Sequence, residues 1–291
     1  MNNCLETGKD ITYGGAKYNF SGVQGIGIAN LSDSLYALKK IVYDEKRVSL
    51  SVLTKALECN FEGVENKKLR VRLINKYDKF GNDNDEVDNL GAEILRYYAK
   101  AVEKHVTPRG GTFVPGSYTV SAHIPLGKAV GATPDGRKSG EQLADGGLSP
   151  MVGRDVLGPT AVLKSVSKLD NYLTTNGSLL NVKFSPKTLE GEEGIHKLCD
   201  FLYAFMKLKS LGINTAIETS GQENTQILIE LATYLDLILF DLKIMDEEKS
   251  KVILGAHINL IKNNIKTLVY MNKKVIPRVP LIQGIPWIMK I

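Results

Sequence analysis

At 291 residues, 43% of them hydrophobic and 24% charged, the chain has the make-up of a soluble globular protein with one large domain or two ordinary ones. A net charge of +5 with both signs interspersed, and no basic block interleaved with aromatics, argues against nucleic acid as a partner. No apolar run approaches the length of a membrane span and residues 1–10 lack a leader-like apolar core, so no membrane partner is expected and the cytoplasm is the default location. The three cysteines, Cys4, Cys59 and Cys199, are far apart and odd in number, which fits a reducing compartment better than a disulfide framework. No two of them have metal-ligand spacing.

In chain order, Ser32 or Asp33 is placed to cap a helix carrying Leu35, Leu38, Ile41 and Val42 on one face. Ser49 or Ser51 can start another, with Val52, Leu53, Ala56 and Leu57. Residues 83–106 put Val87, Leu90, Ile94, Leu95, Tyr98 and Val102 at helical spacing before a stop at Pro108, and form the clearest helix of the chain. Between Pro108 and Pro159 stand eleven glycines and six prolines. A flexible linker would lack the apolar residues Phe113, Val114, Tyr118, Val120, Ile124, Leu126 and Val130 found there, so the stretch reads as an ordered wall of loops and short strands. Residues 161–166 and 179–184 read as strand-like, and 192–208 as a helix.

Beyond Lys209 short β-branched runs alternate with amphipathic helices at the pace of βα units. Strands are expected at 213–218, 237–243 and 275–282, with helices at 223–234, 246–253 and 258–271. The strands read as parallel. Glu218, Thr219 and Ser220 follow the first, and Asp241 and Lys243 end the second, where parallel sheets gather ligands. Capping of the following helices is the competing role, at least as good for Ser220.

Two resemblances are carried by these residues. Residues 1–207 resemble the glycyl radical enzymes, the family of pyruvate formate-lyase and the B12-independent glycerol and propanediol dehydratases. The matching stretches are Gly14-Gly-Ala-Lys-Tyr-Asn-Phe-Ser, Gly25-Ile-Gly-Ile-Ala-Asn-Leu-Ser-Asp-Ser-Leu, Pro108-Arg-Gly-Gly, Pro115-Gly-Ser-Tyr, Val130-Gly-Ala-Thr-Pro-Asp-Gly-Arg-Lys and Asn176-Gly-Ser-Leu-Leu-Asn. Residues 211–285 resemble the radical S-adenosylmethionine activating enzymes that serve this family, through Glu218-Thr-Ser-Gly, Phe240-Asp-Leu-Lys-Ile-Met-Asp and Val275-Ile-Pro-Arg-Val-Pro-Leu-Ile. The implied fold is α/β: the C-terminal part of a glycyl radical enzyme barrel over 1–207, followed over 211–291 by a partial radical-SAM (βα) barrel, the two joined near Lys207 to Leu211.

The resemblance implies a lyase that dehydrates a diol such as glycerol or propanediol, by radical hydrogen abstraction and loss of water. A formate C-acetyltransferase-like member and an inactive remnant or binding module are the alternatives. Tyr118 matches a tyrosine lining the substrate cavity, where its phenol could meet a polyol hydroxyl or else simply pack with its hydroxyl on backbone. Glu218, Thr219, Asp241, Lys243 and Arg278 match positions around S-adenosylmethionine, whose zwitterionic end needs both a cation and an anion partner. The families also imply a glycyl radical and a 4Fe-4S cluster, but no Arg-Val-x-Gly-Tyr, Gly-Cys-x-Glu or Cys-x-x-x-Cys-x-x-Cys sequence occurs in residues 1–291. Cys4 with Glu6 imitates one of these spacings and is read instead as a packed thiol. His123 is left without a role, and Asp135 and Arg137 are read as parts of a tight turn. Expected partners are a small-molecule substrate, an intact glycyl radical enzyme or activating enzyme, and a second copy in a homodimer.

Overall fold

The computed structural model describes residues 3–182, 190–210, 215–222, 224–242 and 244–278. The chain is mixed α/β and divides into two compact units, Met1–Phe201 and Leu202–Ile291. The first contains α1 (Cys4–Thr7), β1 (Phe20–Gln24), α2 (Ile28–Leu38), α3 (Leu50–Glu58), α4 (Val64–Asn75), α5 (Asp85–Glu103), β2 (Thr112–Gly116), α6 (His123–Ala129) and α7 (Pro159–Ser167). Strands β1 and β2 pair in parallel, Phe20 opposite Thr112 and Gln24 opposite Gly116. Helix α8 (Gly191–Ser210) follows, and then β3 (Ala216–Thr219), α9 (Thr225–Ala232), β4 (Leu237–Asp241), α10 (Glu247–Leu254), α11 (Ile258–Tyr270) and β5 (Val275–Arg278).

Helix α5 forms where the spacing requires it. Asn84 caps it by accepting from the amides of Glu86 and Val87, and Asp85, Glu86 and Asp88 favour its positive end. Its buried stripe includes Ala99, and Val87, Ala92 and Leu95 pack with Ile41, Leu53, Phe61, Leu73 and Phe80 in one core. Each of the larger side chains, Val, Leu, Ile or Phe, contributes roughly 1.5–3 kcal/mol by leaving water. Ser49 caps α3 through the amide of Val52, as its spacing implies.

The start of α2 differs from expectation. Ser32 and Asp33 lie inside the helix, which begins at Ile28, and a π-helical turn over Lys39–Asp44 extends it. Both are buried and serve the core rather than a cap: Ser32 Oγ donates to the Val87 carbonyl at 2.6 Å, and Asp33 accepts from the Phe80 amide at 2.7 Å. Burial pushes the Asp33 carboxyl up to about 8. Residues 161–166 also depart from expectation, forming most of helix α7. Pro159 stands at its first turn, and Ala161, Val162, Leu163 and Val166 are all buried, a short apolar run that a strand and a buried helix share.

Within the wall, β2 and the short α6 account for the regular structure. Val120, Ile124, Leu126 and Val130 are exposed rather than anchoring, because α6 turns His123 and Gly127 inward. The inward anchors lie further on, at Leu143, Ala144, Leu148 and Met151. The patch expected at 179–184 is a single bridge at Leu179 with Gly147, and residues 183–189 lie outside the described residues.

In the second unit β3, β4 and β5 pair in parallel, as expected, and lie in that order in the sheet. Its core combines Ile238 and Phe240 of β4 with Leu228 of α9 and Ile258, Ile261 and Leu268 of α11. Among the described residues the two sheets are open ribbons, and no helix is long and apolar enough to cross a membrane.

One ion cluster ties α7 to α5. The ammonium of Lys168 lies 2.9 Å from Asp83, 2.7 Å from Asp85 and 2.9 Å from Asp88, whose side chain is 0% exposed. Burial pulls the Lys168 pKa down, but its bonds to Asp85, Asp83 and Asp88 outweigh this and hold it above the usual lysine range. Lys168→Met strands a buried charge at Asp88, so urea unfolding of the first unit should show a loss of about 3–5 kcal/mol. Adding Asp88→Asn should recover much of it.

Candidate functional site

Tyr118 stands just past β2, half-buried, and its surroundings are built by close approach of backbone. The segment after Thr174 runs alongside the end of β2. The Asn176 amide donates to the Pro115 carbonyl at 2.9 Å, Ser117 to Gly177 at 2.9 Å, and Leu179 to Ser117 at 2.9 Å. Asn176 Nδ2 then donates to the Tyr118 phenol oxygen at 2.7 Å. The pair needs space that any side chain on the facing strands would remove. A Cβ on Gly116 would stand 2.8 Å from the Tyr118 ring, and one on Gly22 would overlap the Asn176 amide.

Neighbouring groups hold this arrangement to the core. The single phenol proton of Tyr98 on α5 goes to the Val23 carbonyl at 2.7 Å, with the Gly116 carbonyl 3.2 Å from the same oxygen, so the side chain bridges β1 and β2. Thr119 Oγ1 accepts from the Gly146 amide at 2.9 Å and donates to Asp145 at 3.3 Å. Asp145 also lies 3.6 Å from Nδ1 of the buried His123, which places His123 behind the Tyr118 turn. Arg109 anchors the start of β1, donating to Ser21 Oγ at 2.6 Å.

Asp135 and Arg137 belong to the scaffold. Asp135 accepts from Asn30 Nδ2 at 2.9 Å, from Thr133 Oγ1 at 2.5 Å and from the Arg137 amide at 3.1 Å. The buried Arg137 guanidinium donates to the carbonyls of Gly127, Val130, Gly131, Lys138 and Glu141, gathering that loop around one cation. A groove of about 550 Å3 between α2 and α5, lined by Leu31, Ile94, Tyr97, Tyr98 and Val102, is apolar. Its polar partners for a polyol are the side chains of Glu93 and His105 and the phenols of Tyr97 and Tyr98.

In the second unit the parallel register brings three strand ends together. Asp241 pairs with Arg278 across β4 and β5, and Arg278 donates to Asp241 from Nε at 3.0 Å and from Nη2 at 2.8 Å. Arg278 also contacts Glu218 at the end of β3. The hydrogen bond with Asp241, and then the one with Glu218, hold the Arg278 pKa above its usual value. Thr219 turns inward to accept the Gly221 amide at 3.0 Å, fixing the turn after β3. Buried Asn264 of α11 donates to the Gly221 carbonyl at 2.9 Å from the other side. Glu218, Asp241 and Arg278 are thus in one cluster with Thr219 beside it, while Lys243 lies outside the described residues. Asn176 and Asn264 were not singled out as site residues from sequence. Asn176 opens the quoted Asn-Gly-Ser motif, which was the signal for it, whereas Asn264 carries none.

The described residues hold no group of three or more His, Cys, Asp or Glu placed to bind a metal ion. Gly221 has a φ of +69°, and a Cβ there would run into the ring of Phe240, which is fully buried. Gly221→Ala should cost about 2–4 kcal/mol. Hydrogen exchange at the Ile238 and Phe240 amides should then accelerate by about 30-fold or more.

Residues 1–127 match a family model described as pyruvate formate lyase-like, and residues 144–224 match one described as glycine radical, which runs past the expected junction at 207–211. The chain is 42% identical over 215 residues to a probable dehydratase, YbiW, of Escherichia coli, covering 72% of this chain and 26% of that protein. A solved structure concerning 1,2-propanediol dehydration in Roseburia inulinivorans is 40% identical with a TM-score of 0.66, covering 72% of this chain and 27% of that one. The glycerol-bound B12-independent glycerol dehydratase of Clostridium butyricum is 37% identical with a TM-score of 0.65, covering 96% of this chain and 33% of that one. The chain therefore spans between about a quarter and a third of the length of these relatives. Over residues 1–127 and 144–224 it belongs to the glycyl radical enzyme family.

Proposed function

We propose that residues 1–207 supply the substrate-facing part of a glycyl radical lyase that dehydrates a small diol such as glycerol or propanediol, and form part of that family's barrel. The observation that carries the reading is the phenol of Tyr118. It is half-buried, it accepts from Asn176, and its own proton has no acceptor among the described residues. A donor held in that way at a wall of closely packed backbone suits a polyol oxygen. Relatives whose names specify propanediol or glycerol dehydration support the substrate class.

The roles left to this chain are binding and orientation. Glycyl radical and thiyl motifs do not occur in residues 1–291, so the radical steps are not assigned to its residues. The arrangement proposed for it is with an intact glycyl radical enzyme, an activating enzyme or a second copy of the chain, in a cytoplasmic setting. A binding module without activity of its own is the second reading.

For residues 211–285 we propose an activating-enzyme-like portion of a (βα) barrel, with Glu218, Thr219, Asp241, Lys243 and Arg278 around the amino-acid end of S-adenosylmethionine. Arg278 offers a cation to a carboxylate, and Asp241 and Glu218 offer anions to an ammonium, which fits a zwitterion. The 4Fe-4S cluster that would cleave the molecule is not matched, since Cys4, Cys59 and Cys199 form no ligand triplet. No step is assigned through it.

Isothermal titration of the full chain with 1,2-propanediol tests the first reading. Saturable binding that weakens by about two- to tenfold in Tyr118→Phe is the expected outcome, the loss of one hydrogen bond to ligand being worth about 0.5–1.5 kcal/mol. Binding unchanged by that substitution would remove Tyr118 from the site.

A further inference from the structure

We propose that Asn176 is a positioning residue that sets the hydrogen-bond direction of the Tyr118 phenol, so that the site selects a ligand oxygen able to accept. The proposal rests on the reading of Tyr118 as a substrate contact and adds to it a residue that no motif role had claimed. A phenol has one proton to give, and an amide NH2 can only donate. With Asn176 Nδ2 at 2.7 Å from the Tyr118 oxygen, that oxygen is the acceptor of the pair. The phenol proton is turned away from Asn176, and no described residue takes it.

The surrounding chain is committed to this pair. Asn176 is pinned by its own amide to the Pro115 carbonyl, and the ladder from Gly177 to Leu179 fixes its height along β2. Gly22 on β1 and Gly116 on β2 both forgo side chains where the amide and ring sit, the latter with Asn176 Nδ2 only 3.2 Å from where its Cβ would be. One hydrogen bond between partly exposed groups stabilises a fold by only about 1 kcal/mol. Two glycine positions given over to it, and a backbone ladder that fixes Asn176, point to an orienting role. A site so arranged holds a diol hydroxyl, a carbonyl or a carboxylate oxygen at Tyr118, and does not hold a group that can only donate, such as an ammonium.

The test uses the full 291-residue chain with tyrosine labelled by 13C at Cζ, and glycerol as probe. Tyr118→Phe identifies the Tyr118 resonance. Asn176→Asp keeps the shape but replaces the donor with an acceptor, so the phenol turns its proton toward residue 176. That variant should move the Tyr118 Cζ resonance and weaken glycerol binding by about tenfold or more, with the far-ultraviolet circular dichroism unchanged. Should Asn176→Asp fail to fold, Asn176→Ala removes the donor without adding charge and should move the same resonance. An unmoved resonance overturns the proposal. So does an Asn176→Asp chain that binds glycerol as the parent does while Tyr118→Phe binds weakly, because the phenol would then be donating to residue 176 already. If the resonance moves but no form of the chain, parent included, binds glycerol, the orienting role stands and the substrate role of Tyr118 falls.

Discussion

Close approach of three backbone segments is the constraint on which the first unit's site depends. Strands β1 and β2 and the segment at 176–179 come together only because Gly22 and Gly116 carry no side chain where Asn176 and Tyr118 sit. The rest of the unit keeps the three segments at that distance. Tyr98 reaches out of α5 to the carbonyls of Val23 and Gly116, and α5 is itself fixed by the core it shares with α2 and by the Lys168 cluster. A helix that buries one face and extends a phenol from it can locate a strand end more firmly than a loop could. The glycine-rich stretch is therefore a built surface, and its glycines are spent on packing density as much as on turns.

The second unit uses a different device for a similar purpose. Parallel pairing puts equivalent strand ends at one edge, so Glu218, Asp241 and Arg278 meet without any long-range loop to carry them there. The price is like charge: Glu218 and Asp241 repel unless a cation stands between them, and Arg278 supplies it. Solvent weakens this network, since Arg278 is 41% exposed, and its value lies in presenting both signs of charge rather than in stability.

Periodicity made much of this legible. The apolar stripe from Val87 to Val102 specified α5, the pair Ser49 and Ser51 bracketed the cap of α3 that Ser49 provides, and the alternation of βα units beyond Lys209 specified three parallel strands. Local signals failed where a polar residue serves the interior. Ser32 and Asp33 look like caps because caps favour their side chains, yet here both reach across to α5 and to Phe80 in the core. The run 161–166 satisfied strand and buried-helix patterns alike; it is a helix whose Ser165 bonds Asp83 and Asp88, contacts distant in sequence that no local pattern shows. In the site, Tyr118 was visible through its motif, but its partner Asn176 lies 58 residues further on, and no local pattern encodes that pairing.

The central claim is that the wall around Tyr118 is a ligand site with an oriented donor, and a crystal structure of the chain grown with glycerol addresses it most directly. The account predicts a glycerol oxygen within hydrogen-bond distance of the Tyr118 phenol, on the side away from Asn176, with the Asn176 contact kept. Glycerol bound elsewhere, or a Tyr118 phenol turned onto a protein carbonyl with no ligand beside it, would contradict the account.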